Sequence, residues 1–255
     1  MENTVNYEQM NFNLPHDVIQ LPSGGIFYKS KKKSIKVGYL TAQDENLLSN
    51  FDPKLSINES IVLPLLRRKI YEKDLKADEL TDGDVESILL FLRNTSFGPE
   101  YTVGVKDPTT DQQFTTTIML DELNIKKTTQ KPNEDGLFTI KLPMSKSEVV
   151  LKMMTLGDRV SLEQEVRNYP FQAISPVVTS RLNKQIVSLN GDTDRIKIAS
   201  FIESMPIADS KFIRRFVLDN EPKLDLTREV IAPSGERVMV DITFGVEFFR
   251  PFLSI

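Results

Sequence analysis

The chain has 255 residues, enough for two domains of about 120 residues each, and two is the starting expectation because single cores stop growing near roughly 250–300 residues. Its 40% hydrophobic and 27% charged residues belong to a globular chain with a real core, and a net charge of −4 excludes the broad positive field that nucleic-acid backbones require. The absence of cysteine excludes disulfides, thiolate zinc sites and cysteine nucleophiles, and no apolar run has the length of a membrane span or of a signal-peptide core.

Residues 1–20 are rich in Asn and lack a clear period, and read as an N-terminal arm, either a tail or an extended segment that becomes ordered only against a neighbour. Leu21-Pro22-Ser23-Gly24-Gly25 is a turn signal ahead of Phe27 and Tyr28, and Ser34 to Leu40 alternates, which together predict a β-hairpin. The basic run Lys29, Lys31, Lys32 and Lys33 falls in its loop. Thr41 is placed as an N-cap, with Asp44 in the first turn of a helix carrying Leu47 and Leu48. A second helix holds Ile57, Ile61, Leu65 and Leu66, kinked or restarted at Pro64. A third, from near Asp84, puts Val85, Ile88, Leu89 and Leu92 on one face and stops at Phe97-Gly98-Pro99. Tyr101 to Val105 and Phe114 to Leu120 then read as a hairpin around Pro108, and residues 128–136 as a polar linker.

The order then repeats. Phe138 to Leu142 and Val149 to Met153 predict a hairpin, Thr155 with Asp158 repeats the helix start, and helices follow over Asp192–Met205 and Asp209–Asp219. A last hairpin runs through Arg228–Ile231, Pro233-Ser234-Gly235 and Val238–Ile242. A shift of 125 positions carries Asp84, Ile88, Phe91, Thr102, Val105 and Pro108 onto Asp209, Ile213, Phe216, Thr227, Val230 and Pro233 with identical residue types. The expected fold is therefore α+β: two duplicated units, residues 21–127 and 137–255, each a β-hairpin, helices and a second β-hairpin, packed about a pseudo-two-fold axis into one body.

Catalytic chemistry finds few candidates. His16 is the lone histidine and lies in the arm, which argues against a Ser-His-Asp constellation or a multi-histidine metal site, and no phosphate-binding glycine loop is present. Asp74, Asp78, Glu79, Asp82, Asp84 and Glu86 could hold magnesium in a hydrolase, but most sit at a helix start, where carboxylates favour the dipole, and the matched Asp84 and Asp209 read as repeated caps. The aromatic run Phe244, Phe248, Phe249, Pro251, Phe252 and Leu253 is too apolar for a free tail; it packs into the core or onto a partner.

The LPSGG turn with Phe27 and Tyr28, the passage YLTAQDENLLS and the ending GVEFFRPFL resemble the T-even-type bacteriophage baseplate proteins, in particular the hub subunit and assembly family. The resemblance runs from Leu21 to the C-terminus. It implies a non-enzymatic component of the virion tail baseplate, in hub or wedge, assembled in the host cytoplasm. Its implied partners are other baseplate or tail subunits, with several copies possible in a symmetric assembly and with neither nucleic acid nor membrane. A non-virion assembly chaperone is the alternative, and a metal-dependent hydrolase using residues 74–86 a remote one. Some similar chains carry cysteine pairs in their hairpins; the turns KDPTTDQQ and APSGERV have none, so no metal or cofactor is implied. Expected partner contacts are Lys31, Lys32 and Lys33 of the basic loop and Phe248, Phe249 and Phe252 of the ending.

Overall fold

The computed structural model describes residues 15–170, 173–244 and 248. Among them the protein is mixed α and β, with seven α-helices and small, separate antiparallel sheets. β1 (His16–Gln20) pairs with β2 (Ser34–Gly38), Gln20 opposite Ser34. The last residues of the expected arm are therefore strand. Phe27 and Tyr28 are not strand: positive φ at Gly24 and Gly25 turns the chain repeatedly between β1 and β2. A side chain at Gly25 would overlap the Lys32 carbonyl.

Helix α1 (Ala42–Ser49) begins as its sequence indicates, with the backbone N–H and hydroxyl of Thr41 both donating to Asp44 at 2.8 Å. Pro64 does restart a helix: a π-helical turn over Asn58–Val62 leads into α2 (Leu63–Lys69), which places the proline in a first turn, where no N–H is needed. Helix α3 (Asp82–Phe97) ends at Gly98, whose φ of 79° and N–H bond to the Asn94 carbonyl close the last turn. Strands β3 (Glu100–Lys106) and β4 (Gln113–Met119) form the next hairpin. The short β5 (Ile125–Lys126) then leads into the linker.

Beyond the linker, β6 (Phe138–Lys141) and β7 (Glu148–Leu151) pair as read, and α4 (Leu156–Arg167) repeats the capping box, Thr155 with Asp158. Helix α5 (Val177–Gln185) and β8 (Ile186–Leu189), which joins the β6–β7 sheet, were not anticipated. Helices α6 (Arg195–Ser204) and α7 (Ile207–Asn220) follow. Strand β9 (Lys223–Leu224) pairs with β5, and β10 (Thr227–Ile231) with β11 (Arg237–Asp241) forms the last hairpin.

Two cores result. The larger gathers β1–β4 and α1–α3 but also buries Leu156, Val160, Leu224, Val230, Ile242 and Phe248 from beyond the linker. The smaller lies among β6–β8 and α5–α7, and Phe27 packs against both, its ring centroid 6.1 Å from that of Phe138. Polar ties reinforce the union. The Leu156 N–H donates to the Leu80 carbonyl at 2.8 Å, Glu59 accepts from Gln164 and Arg167, and the tips of the β3–β4 and β10–β11 hairpins meet where the Ser234 N–H and hydroxyl donate to Asp107 at 3.0 and 2.9 Å. At Gly83 the start of α3 lies so close to the chain before β9 that an added Cβ would overlap the Pro222 carbonyl. Gly83→Ala is therefore expected to cost about 1–3 kcal/mol through overpacking, read from the denaturation midpoint; an unchanged midpoint would show that these backbones yield freely.

Candidate functional site

The LPSGG turn is fixed by a carboxylate far along the chain. Asp84, fully buried in α3, accepts from the Ser23 N–H at 2.9 Å, from the Ser23 hydroxyl at 2.5 Å and from the Tyr28 hydroxyl. Asp209 in α7 does the same for the second Leu-Pro turn, accepting from the N–H groups of Met144 at 2.7 Å and Ser145 at 2.9 Å. The reading of these residues as helix caps is corrected: each clasps a distant turn. The environments differ. Burial raises the Asp84 carboxyl above its ordinary range despite its hydrogen bonds, and raises Tyr28 further. At Asp209 burial also acts upward, but the donated N–H groups outweigh it and the carboxyl lies below its usual value.

The clasped turn presents the basic loop. Lys31, held at a φ of 49°, turns its ammonium onto the Ile26 carbonyl at 3.1 Å and onto the Glu134 carbonyl of the linker. Lys32 is bound by Glu72 and by Asp74 at 2.6 Å, and the hydrogen bonds its ammonium donates to these carboxylates, Asp74 foremost, raise its pKa. Lys29 and Lys33 are exposed. Thus Lys31 and Lys32 fasten the loop to the body, while Lys29 and Lys33 face solvent. The linker is itself tied down: Thr129 and Gln130 both donate to Asn220 at 2.7 Å.

The acidic group near residues 74–86 is dispersed among different partners. Asp74 faces Lys32, Asp78 stands 3.7 Å from Arg67, Asp82 pairs with Arg159, and Asp84 holds the LPSGG turn. Among the described residues no group of three or more His, Asp or Glu side chains is arranged to hold a metal ion. Glu86 is different. It lies half-buried beside Glu221 and Lys223, one of its oxygens is buried with no hydrogen-bond donor, and desolvation, with Glu221 adding to it, lifts its pKa to about 7 against the pull of Lys223. Glu221 is raised as well, chiefly by burial. Nothing in the sequence distinguishes Glu86 from the other carboxylates of this stretch.

Of the expected aromatic contacts, Phe248 is fully buried, its ring 5.9 Å from Tyr101 and 4.6 Å from Phe244, with the Arg93 guanidinium 5.7 Å from its centroid. Phe249 and Phe252 lie outside the described residues. Exposed apolar side chains occur elsewhere: Ile231 and Met239 on the outer face of the last hairpin, and Met144 and Ile207 beside the Asp209 clasp. Sequence pattern could have found the first pair, because Val230, Val238 and Val240 claim the inner face and leave alternate positions outward.

Among the described residues no helix is long and apolar enough to cross a membrane. Comparison with curated proteins found no match, and comparison with solved structures found none either. The family described as "T4 bacteriophage base plate protein" matches over residues 21–250, a span that takes in the clasped turn, the basic loop, both hairpin pairs and Phe248. That span covers most of the sequence: the chain belongs to the T4 bacteriophage base plate protein family.

Proposed function

We propose that the protein is a permanent structural subunit of the tail baseplate, in its hub or wedge, that acts through contacts with neighbouring subunits and performs no catalysis. The family match over residues 21–250 carries this reading. The dispersal of the acidic residues into separate structural ties agrees with it. The repeated Leu-Pro turn held by an aspartate at the start of a helix, Asp84 and then Asp209, supports a duplicated fold with units 21–127 and 137–255 joined by 128–136. So does the Val37–Ile70 bridge, which parallels the Leu151–Ile186 pairing. Lys29 and Lys33 beside the fastened Lys31 and Lys32, together with Phe249 and Phe252, are the proposed contacts.

Quantitative mass spectrometry of purified tails tests the reading. A permanent subunit is found at a fixed ratio to the other baseplate proteins. Complete absence from finished tails, with the protein abundant in cells during assembly, would identify a transient assembly factor instead. Phe249→Ala with Phe252→Ala is expected to lower incorporation without shifting the melting temperature.

A further inference from the structure

A groove of about 710 Å3 runs between the LPSGG turn, the linker and the segment before β9. Its size is that of clefts that hold ligands, roughly 300–1,000 Å3. Pro22, Pro132 and Pro222 line it together with three lysines, Lys31, Lys127 and Lys131. Among the described residues none of these ammonium groups is within ion-pair distance of a carboxylate, although the chain as a whole is acidic. Lys31 in particular is held by two carbonyl oxygens, which fix its position and leave its charge unneutralised. Glu134 lines the same groove, and its carboxylate stands beyond ion-pair distance of all three.

We propose that this groove receives an extended acidic segment of a neighbouring tail protein, its carboxylates on Lys31, Lys127 and Lys131 and an apolar side chain between the proline walls. The assignment rests on the reading of the chain as a baseplate subunit. Charge complementarity selects the occupant: three cations concentrated in one groove of a protein of net charge −4 attract carboxylates locally while the overall field repels a polyanion such as DNA. The walls select a polypeptide with apolar side chains. Proline offers no N–H and loses little freedom on binding, so recognition comes from side-chain packing and charge in a groove that is formed in advance. Both walls are anchored. The Asp84 clasp holds the LPSGG turn, and the Asn220 bonds hold the linker.

Two measurements test it with the full-length protein. In the first, fluorescence anisotropy compares a labelled decapeptide of alternating Glu and Pro with one of alternating Gln and Pro at low salt. The acidic peptide is expected to bind at least about tenfold tighter, and Lys127→Glu with Lys131→Glu is expected to remove that preference, since the charges on a binding rim govern selectivity. Equal binding of the two peptides, binding unchanged by the double variant, or no binding at all overturns the proposal. In the second, a photo-crosslinking residue replaces Thr128 in the groove during tail assembly, and the joined peptides are sequenced. Joining to a carboxylate-rich stretch of another tail protein supports the proposal. Joining to nucleic acid, to a second copy of this chain or to a stretch without Asp or Glu overturns it. If finished tails lack the protein, the subunit reading fails, and the peptide comparison still decides the groove.

Discussion

Asp84→Ala is expected to destabilise the fold by about 3–5 kcal/mol, because it strips the acceptor from three buried donors at once. The Ser23 N–H cannot rotate away, and the Ser23 hydroxyl points at the same carboxylate. The Tyr28 hydroxyl retains only Thr81, 3.3 Å from its oxygen and 3.0 Å from the Thr81 N–H that donates to it. Each buried donor left without an acceptor costs about 1–3 kcal/mol, and partial rotation of the hydroxyls keeps the sum below three times that. Asp84→Asn keeps one carbonyl oxygen and should lose less. Asp209→Ala is the internal comparison: it strands two N–H groups and should cost about 2–3 kcal/mol. Chemical denaturation of the three variants checks the order, and an Asp84→Ala protein as stable as the parent would mean that the turn closes without its clasp.

The second large effect is a dependence on pH of unusual sign. Glu86 has a folded-state pKa of about 7 against an ordinary value of 4.5, so the folded protein keeps a proton there that the unfolded chain releases. The stability associated with that proton is fully present below the unfolded value and is lost as pH rises through 7, amounting to about 3 kcal/mol between pH 4.5 and 8. Glu221, raised by burial near Lys223, Arg159, Asp84 and Arg181, acts in the same direction. Carboxyls held below their ordinary range, such as Asp209 and Asp192, act oppositely and lose their contribution only in stronger acid. Stability should therefore peak near pH 5, by the balance of these groups. Glu86→Gln should flatten the decline from pH 5 to 8 and leave the variant more stable than the parent at pH 8. A variant whose denaturation midpoint falls with pH as steeply as the parent's would place the proton elsewhere.

What could be read in the sequence follows from where the determining contacts lie. Helix α3 and its hairpin were legible because a repeated apolar face, the Gly98 stop and strict alternation are local signals. So were the Thr41 and Thr155 helix starts, whose capping partners are three residues away. Strand β1 gives no such pattern: only Val18 and Ile19 are apolar in HDVIQ, and its pairing depends on β2. Helix α5 runs directly into β8, so a helical period and a strand period share one short stretch and hide each other. The role of Asp84 escaped for another reason. A carboxylate in a first helical turn is fully explained by the dipole, and the turn it actually holds is 61 residues earlier. The groove could not be read at all, since its three lysines and three prolines come from four separate stretches of chain.

The placement of Leu156, Val160, Val230 and Phe248 in the larger core sets the timing of folding. When the ribosome has released residues 21–127, the apolar surface these side chains will cover is still open to water, and it stays open until synthesis is almost complete. The early half must therefore wait, collapsed and adhesive, for its last strands. Nascent chains stalled before residue 225 should be protease-sensitive and prone to associate, and the interval before the last strands emerge is the time of greatest risk for this protein.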